Sequence, residues 1–178
     1  MRLALVRHGE ADYASISKMG PTFYGNRRDF APLSTNGERQ ALEAADTLRD
    51  FRATRVIASP YTRTLHTAAI IAMALRLPLS VEAALHDWLP VRDSSFAVDD
   101  EIAKTKIEEF DAYYASGIEP PARTWETLEE IRVRVGRALD PYKAEPAIIV
   151  VTHEAVVRSL TNRRDVGLGS VHTDPVVF

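Results

Sequence analysis

The feature that most constrains this chain is Ala147 to Thr152, where Ile148, Ile149, Val150 and Val151 stand consecutively. A strand with one face in water alternates apolar and polar residues, whereas four β-branched residues in a row need cover on both faces. The run therefore belongs in the middle of a parallel sheet with helices on either side. Three shorter runs fit the same sheet: Arg2 to Val6, Arg55 to Ser59 and Leu79 to Glu82. Between them lie segments of helical period. Thr35 to about Phe51 puts Ala41, Ala45, Leu48 and Phe51 on one stripe, with Thr35 and Glu38 as a capping box. A helix opening at Ser59-Pro60, with serine as its cap, runs to about Leu75. Asp99 to Ala115 aligns Ala103, Ile107, Phe110 and Tyr114, and Thr124 to Leu139 aligns Leu128, Ile131, Val135 and Leu139. Strand and helix alternating in this way predict an α/β fold, a three-layer α/β/α sandwich around a mostly parallel central sheet.

The 178 residues suit a single domain, 1–178, with room for one small insertion. Residues 88–123, which hold Pro90, Pro120 and Pro121 around a helical stretch, are expected to be that insertion, a small helical cap over the sheet edge. The segment Tyr13 to Pro32 is long, mixed aromatic and basic, and without period, as functional loops often are. After residue 160, Val176 and Val177 are the expected remnant of a last strand.

Composition removes several classes of function. Cysteine is absent, so there is no disulfide, thiol nucleophile or thiolate metal site. A net charge of -3 gives no general attraction to nucleic acid or to an anionic membrane. The first apolar run, Leu3 to Val6, is too short for a signal peptide, and no run approaches a membrane span, so a cytoplasmic protein is expected. The five histidines show no metal-ligand spacing, and neither a metal nor any other cofactor is expected.

Three strands deliver polar clusters at their carboxyl ends: Arg7-His8-Gly9-Glu10, Ser59-Pro60-Tyr61-Thr62-Arg63 and Thr152-His153-Glu154. In an open parallel sheet the ligand crevice lies outside those ends, so Arg7, His8, Arg63 and His153 are expected to converge there. Two guanidiniums and two imidazoles suit a phosphomonoester. Arginine presents a fork of donors to phosphate oxygens at any working pH, and neutral imidazole is a nucleophile. The reading requires the two imidazoles to lie within about a helix diameter, ~10 Å, of one another.

In these blocks the chain resembles the histidine phosphatase superfamily, the phosphoglycerate-mutase-like proteins. The family's Arg-His-Gly signature falls on Arg7, His8 and Gly9, and its Leu-Thr-x-x-Gly-x-x-Gln-Ala segment on Leu33, Ser34, Gly37, Gln40 and Ala41. The Ser-Pro-x-x-Arg-x-x-x-Thr-Ala segment falls on Ser59, Pro60, Arg63, Thr67 and Ala68, and the second family histidine on His153. The resemblance implies a metal-independent phosphohydrolase in which His8 attacks phosphorus to become a phosphohistidine while Arg7, Arg63 and His153 hold the oxygens. It implies a proton donor at Asp87, with Glu82 and Glu10 as the other candidates. Its substrate would be a phosphorylated small molecule or a phosphopeptide.

The chain departs from the family pattern at three places. Ala14 stands where an asparagine often helps bind phosphate, Glu154 and Ala155 replace two glycines after the second histidine, and Asp87 replaces a glutamate. A mutase, a phosphohistidine-protein phosphatase and a catalytically weak module that binds phosphate esters are the other readings the same residues allow. Arg27 and Arg28 are candidates for a substrate's second anionic group. Tyr13, Phe23, Tyr24, Trp88 and Trp125 are candidates for the pocket mouth, although aromatics more often anchor packing. His66, four residues from Thr62 on a helix, is expected to be a partly exposed helix residue and not a ligand, and His86 and His172 are read similarly.

Overall fold

The structure, a computed structural model, describes residues 1–17, 27–92, 100–161, 163–174 and 176. Its strands are β1 (Arg2–Arg7), β2 (Arg55–Ala58), β3 (Leu79–Val81), β4 (Ala147–Thr152) and β5 (Val171–His172). They form one sheet in the order β3-β2-β4-β1-β5. β4 is the middle strand, buried along its whole length, and pairs in parallel with β1 on one side and β2 on the other. β3 is parallel to β2, and only β5 runs antiparallel, beside β1.

Side-chain alternation along the strands divides the core into two layers. Leu3 and Leu5, Ile57, and Ile148 and Val150 point to one face and meet Ile131, Val135 and Leu139 of α5 (Leu128–Leu139) and Val156, Val157 and Leu160 of α6 (Glu154–Thr161). Ala4 and Val6, Val56 and Ala58, and Ile149 and Val151 point to the other. There they meet Ala44, Ala45 and Leu48 of α2 (Thr35–Thr47) and its end, and Ala68, Ile71 and Ala72 of α3 (Thr62–Leu75). Each fully buried Ile or Val contributes about 1.5–3 kcal/mol over an exposed one, so the doubly covered centre is where the sheet gains most. The three-layer α/β/α arrangement follows directly.

Two further helices are α1 (Tyr13–Ser17) and α4 (Asp100–Ser116). α4 lies within the segment expected to form the insertion. It is anchored by Phe110, whose ring meets Trp88 at 5.3 Å and Trp125 at 5.3 Å between centroids. Ile107 is 49% exposed, so the buried stripe of α4 is narrower than its period predicts. Trp125 is fully buried and serves packing, not a pocket mouth. Trp88 is half-buried in the same cluster, with its indole N–H on the Glu126 carbonyl. Phe23, Tyr24 and Val177 lie outside the described residues.

Local chemistry corrects several expected boundaries. The cap of α2 is Ser34, whose hydroxyl accepts from the Gly37 amide, and not Thr35. α3 begins at Thr62 with no side-chain cap, because Ser59 has another partner in the site. The fourth predicted helix starts at Leu128 instead of Thr124, where Thr127 and Glu130 form a true capping box. The last strand is Val171–His172; Val176 instead packs against the core beside α5 and α6.

The approach of the β1 end to α2 is close enough to exclude side chains. A Cβ on Gly9 would lie 2.5 Å from the Gly37 carbonyl oxygen, and a Cβ on Gly37 would lie 2.1 Å from the Glu10 carbonyl oxygen. Gly37→Ala should gain about 1 kcal/mol in helix propensity. Overpacking backbone against backbone costs about 1–3 kcal/mol or more. We expect a net loss of about 2 kcal/mol, read as a lower urea midpoint at unchanged m-value, together with reduced activity as the His8 segment is pushed out. An unchanged midpoint would show that the contact relaxes freely.

Candidate active site

At the carboxyl end of β1 the ladder continues one residue further, His8 donating its amide to the Thr152 carbonyl at 3.0 Å. The His8 side chain is buried and its ring lies 5.4 Å from that of His153, centroid to centroid. His8 Nδ1 sits 2.7 Å from the Gly9 carbonyl oxygen. A carbonyl only accepts, so Nδ1 carries the ring proton and Nε2 keeps the lone pair. Burial, with His153 and Arg63 close by, lowers the pKa of His8 from 6.5 to about 3, so the ring is neutral at physiological pH.

The loop after β1 is held by the residues of the two sequence blocks that follow it. Thr67 of α3 accepts the Gly9 amide at 3.1 Å, and Gln40 of α2 accepts the Glu10 amide at 2.8 Å. Glu10 takes hydrogen bonds from the Ser34 hydroxyl and the Asn36 amide, which hold its carboxyl below the usual carboxylate range. Glu10 is therefore an anchor for the start of α2. Glu82 caps its own turn by accepting from the Ala84 amide. Neither contacts the imidazole pair.

Arg63, one residue into α3, connects the parts of the site. Its Nε donates to His8 Nε2 at 3.2 Å, one terminal nitrogen to the Arg28 carbonyl at 3.2 Å, and the other to Asp87 Oδ2 at 3.0 Å. The same Nη2 lies 3.3 Å from His153 Nδ1. The guanidinium also stacks over Tyr61, whose phenol pKa is raised chiefly by burial and then by Asp29 and Asp87. His153 is fully buried at the end of β4. Its Nε2 is bonded to Ser59 Oγ at 2.8 Å, and its Nδ1 faces Asp87 Oδ2 at 3.3 Å. Burial and then Arg63 depress its pKa well below 6.5.

Arg7 lies to one side. One terminal nitrogen donates to the Val166 carbonyl at 2.5 Å and pairs with Glu154 at 3.0 Å, while its Nε is buried without a partner among the described residues. Glu154 is thus a direct competitor for Arg7. Ala14 is exposed on α1.

The structure brings together His8, Arg63, His153 and Asp87, with Arg7 anchored beside them. Sequence reasoning missed the network that holds Asp87 in place. Arg134 of α5 donates to the Ala84 and His86 carbonyls and is paired with Glu126, which in turn accepts the Leu89 amide. Arginine on a helix face ordinarily reads as solvated surface, and only the fold shows that it reaches back to the turn after β3. His66 accepts the Leu33 amide, His86 faces the Asp87 carbonyl, and His172 sits in β5 beside Ser170. Among the described residues no group of three or more histidine or acidic side chains could hold a metal ion. No helix there is long and apolar enough to cross a membrane.

Comparison with known proteins defines the class. The histidine phosphatase superfamily (branch 1) matches residues 3–169, nearly the whole chain. The chain belongs to this superfamily and is an enzyme of its phosphatase class. It is 32% identical over 161 residues to the uncharacterized phosphatase PhoE of Bacillus subtilis (strain 168), covering 89% of this chain and 74% of that protein. It is 29% identical over 87 residues to the probable phosphoglycerate mutase GpmB of Salmonella paratyphi C, a match that spans 49% of this chain and 38% of that protein. Among solved structures it resembles a putative alpha-ribazole-5'-P phosphatase from Escherichia coli, with TM-score 0.59 and 25% identity over 94% of this chain and 80% of that one. The fold is shared with the mycobacterial glucosyl-3-phosphoglycerate phosphatase solved with VO3, with TM-score 0.60 and 21% identity over 89% and 77% of the two chains.

Proposed function

We propose that the protein hydrolyses a phosphomonoester in two steps through a phosphohistidine on His8. The observation that carries this reading is the His8 tautomer. The Gly9 carbonyl holds the proton on Nδ1 and leaves the Nε2 lone pair facing Arg63, the residue best able to hold a phosphoryl oxygen. Arg63, His153 and Arg7 supply the donors for the equatorial oxygens, and the unpartnered Nε of Arg7 is a donor waiting for an acceptor. With the Ser59 hydroxyl donating to His153 Nε2, the neutral ring carries its proton on Nδ1 and presents it to the anion.

Asp87 orients this set. Its Oδ2 accepts from Arg63 and its Oδ1 from the Trp88 amide, so both oxygens already serve as acceptors. An anionic phosphoryl group would share Arg63 and His153 with it. The substrate class is a small phosphorylated molecule, in keeping with the ester named in the Escherichia coli neighbour. A phosphopeptide is the other chemistry the same donors would take. We further read the protein as cytoplasmic.

The reading is tested by phosphate release from p-nitrophenyl phosphate in the presence of EDTA, with vanadate as inhibitor. Turnover undiminished by EDTA and blocked competitively by vanadate is expected; turnover abolished by EDTA, or indifferent to vanadate, would overturn it. Glu154 offers a second check. Its pair with Arg7 is partly exposed and worth about 0–1 kcal/mol, so Glu154→Gln should release Arg7 and tighten inhibition by inorganic phosphate by about 2–5-fold. Weaker inhibition would mean that Glu154 positions Arg7 instead of competing for it.

A further inference from the structure

We infer that a groove lined by α4, α5 and α6 binds a small anion carrying two phosphoryl groups, and that this anion opposes phosphate binding beside His8 by acting on Glu154. The first half stands on the groove alone; the second rests on the phosphohistidine reading, in which Arg7 holds a phosphoryl oxygen. The groove is a cavity of about 540 Å³, inside the ~300–1,000 Å³ range of small-molecule sites. Four arginines line it: Arg132 of α5, Arg158 of α6, and Arg163 and Arg164 just beyond α6. Tyr113 and Tyr114 of α4 form another wall, and the Tyr114 hydroxyl accepts the Leu128 amide at 2.7 Å, which fixes that wall against the start of α5. The groove shares no lining residue with the site around His8.

The four arginines differ in how far the fold already uses them. Arg132 is a strut: its Nε donates to the Ser159 carbonyl at 2.8 Å and a terminal nitrogen pairs with Glu129 at 2.7 Å. Arg163 pairs with Asp174. Arg158 is held more loosely, since its carboxylate neighbour Glu154 lies 3.8 Å away, beyond hydrogen-bond distance, and its guanidinium rests over the Phe110 ring. Arg164 forms no ion pair among the described residues. The carboxylates lining the cavity are Asp111 and Glu129, so four guanidiniums leave two positive charges in excess there, on a chain whose net charge is -3. Like charges gathered along a concave wall concentrate anions, and guanidinium forks match phosphoryl oxygens. A pyrophosphate-type group balances the excess and suits forks that arrive from α6 and from the segment after it. Concavity on an acidic chain selects a small soluble anion over nucleic acid or membrane, which require a broad basic face.

Glu154 joins the groove to the active site. One of its oxygens pairs with Arg7 at 3.0 Å and the other faces Arg158 at 3.8 Å, so the two arginines share one carboxylate. An anion in the groove engages Arg158 and repels Glu154, which is then left to Arg7 and holds it more firmly away from a phosphoryl oxygen. By linkage, phosphate bound beside His8 weakens the groove anion by the same factor. These pairs are partly exposed, which limits the coupling to about 2–5-fold.

The test is calorimetric titration of the vanadate-saturated protein with inorganic pyrophosphate, in metal-free buffer at about 150 mM ionic strength. One pyrophosphate per chain should bind. Arg158→Gln and Arg164→Gln should each weaken it by roughly 10-fold, the lower end of what a charge-assisted hydrogen bond contributes, with a thermal midpoint like that of the wild type to show that the variant is folded. Glu154→Gln should tighten it by about 2–5-fold, because vanadate engages Arg7 and otherwise leaves Glu154 to compete for Arg158. No binding, binding that disappears as vanadate is raised, or binding indifferent to both arginine substitutions would overturn the groove site. Unaltered affinity in Glu154→Gln would overturn the coupling. Should vanadate itself fail to bind, the phosphohistidine reading falls, and the same titration without vanadate still reads the groove through Arg158 and Arg164.

Discussion

His8→Ala should abolish turnover of p-nitrophenyl phosphate, lowering kcat by about 10⁴-fold or more while the protein remains folded. Removing a covalent nucleophile takes away a reaction path, not one contribution to a barrier, and losses in such cases reach about 10⁶-fold. The substitution deletes the ring that accepts from Arg63, but it leaves the backbone bonds of the segment, His8 to Thr152 and Gly9 to Thr67, in place. Burial keeps the wild-type ring neutral down to about pH 3, so no acid limb belonging to His8 should appear in the working range. Residual activity within 10-fold of wild type would mean that water attacks phosphorus directly, and a rate on the order of that change alone cannot come from a lost nucleophile.

Arg63→Ala should produce the second largest loss. This side chain is 6% exposed and makes hydrogen bonds to His8, the Arg28 carbonyl and Asp87, with His153 beside them. One fixed donor to a developing anion is worth about 3–4 kcal/mol, so a loss of about 10²–10³-fold in kcat is expected. KM should rise as well, because the same guanidinium meets the ground-state phosphate. Lysine should not restore it: a point charge lacks the fork that reaches His8 and Asp87 together. Removal also leaves the Asp87 carboxylate and the Arg28 carbonyl without their donor, which should lower the thermal midpoint by several degrees, as expected for a loss of about 1–3 kcal/mol. Full recovery by Arg63→Lys would show that only the charge matters.

Much of this protein is legible in its sequence because the informative residues are locally unambiguous. The run Ile148 to Val151 occupies the doubly covered centre of the sheet, and the alternating faces of β1, β2 and β4 account for both layers of helices. The blocks around Arg7, Gly37, Arg63 and His153 belong together because parallel strands place their carboxyl ends on one edge, and the imidazoles lie well inside the required separation. What escaped the sequence are contacts between side chains distant along the chain. Ser59 reads as a helix cap, yet its hydroxyl is taken by His153 of another strand. Ser34 takes the capping role given to Thr35, because the Glu10 carboxylate draws its hydroxyl to the start of α2. Arg134 is a surface residue by pattern and a clamp on the turn before Asp87 by position.

The decisive measurement is rapid alkaline quench of the enzyme during turnover of p-nitrophenyl phosphate, followed by mass spectrometry of its peptides. One phosphoryl group on the peptide containing His8, formed and discharged at rates that match turnover and missing from His8→Ala, is the predicted result. A fully active enzyme that never carries phosphate on that imidazole, or that carries it on another side chain, would contradict the proposed chemistry at its root.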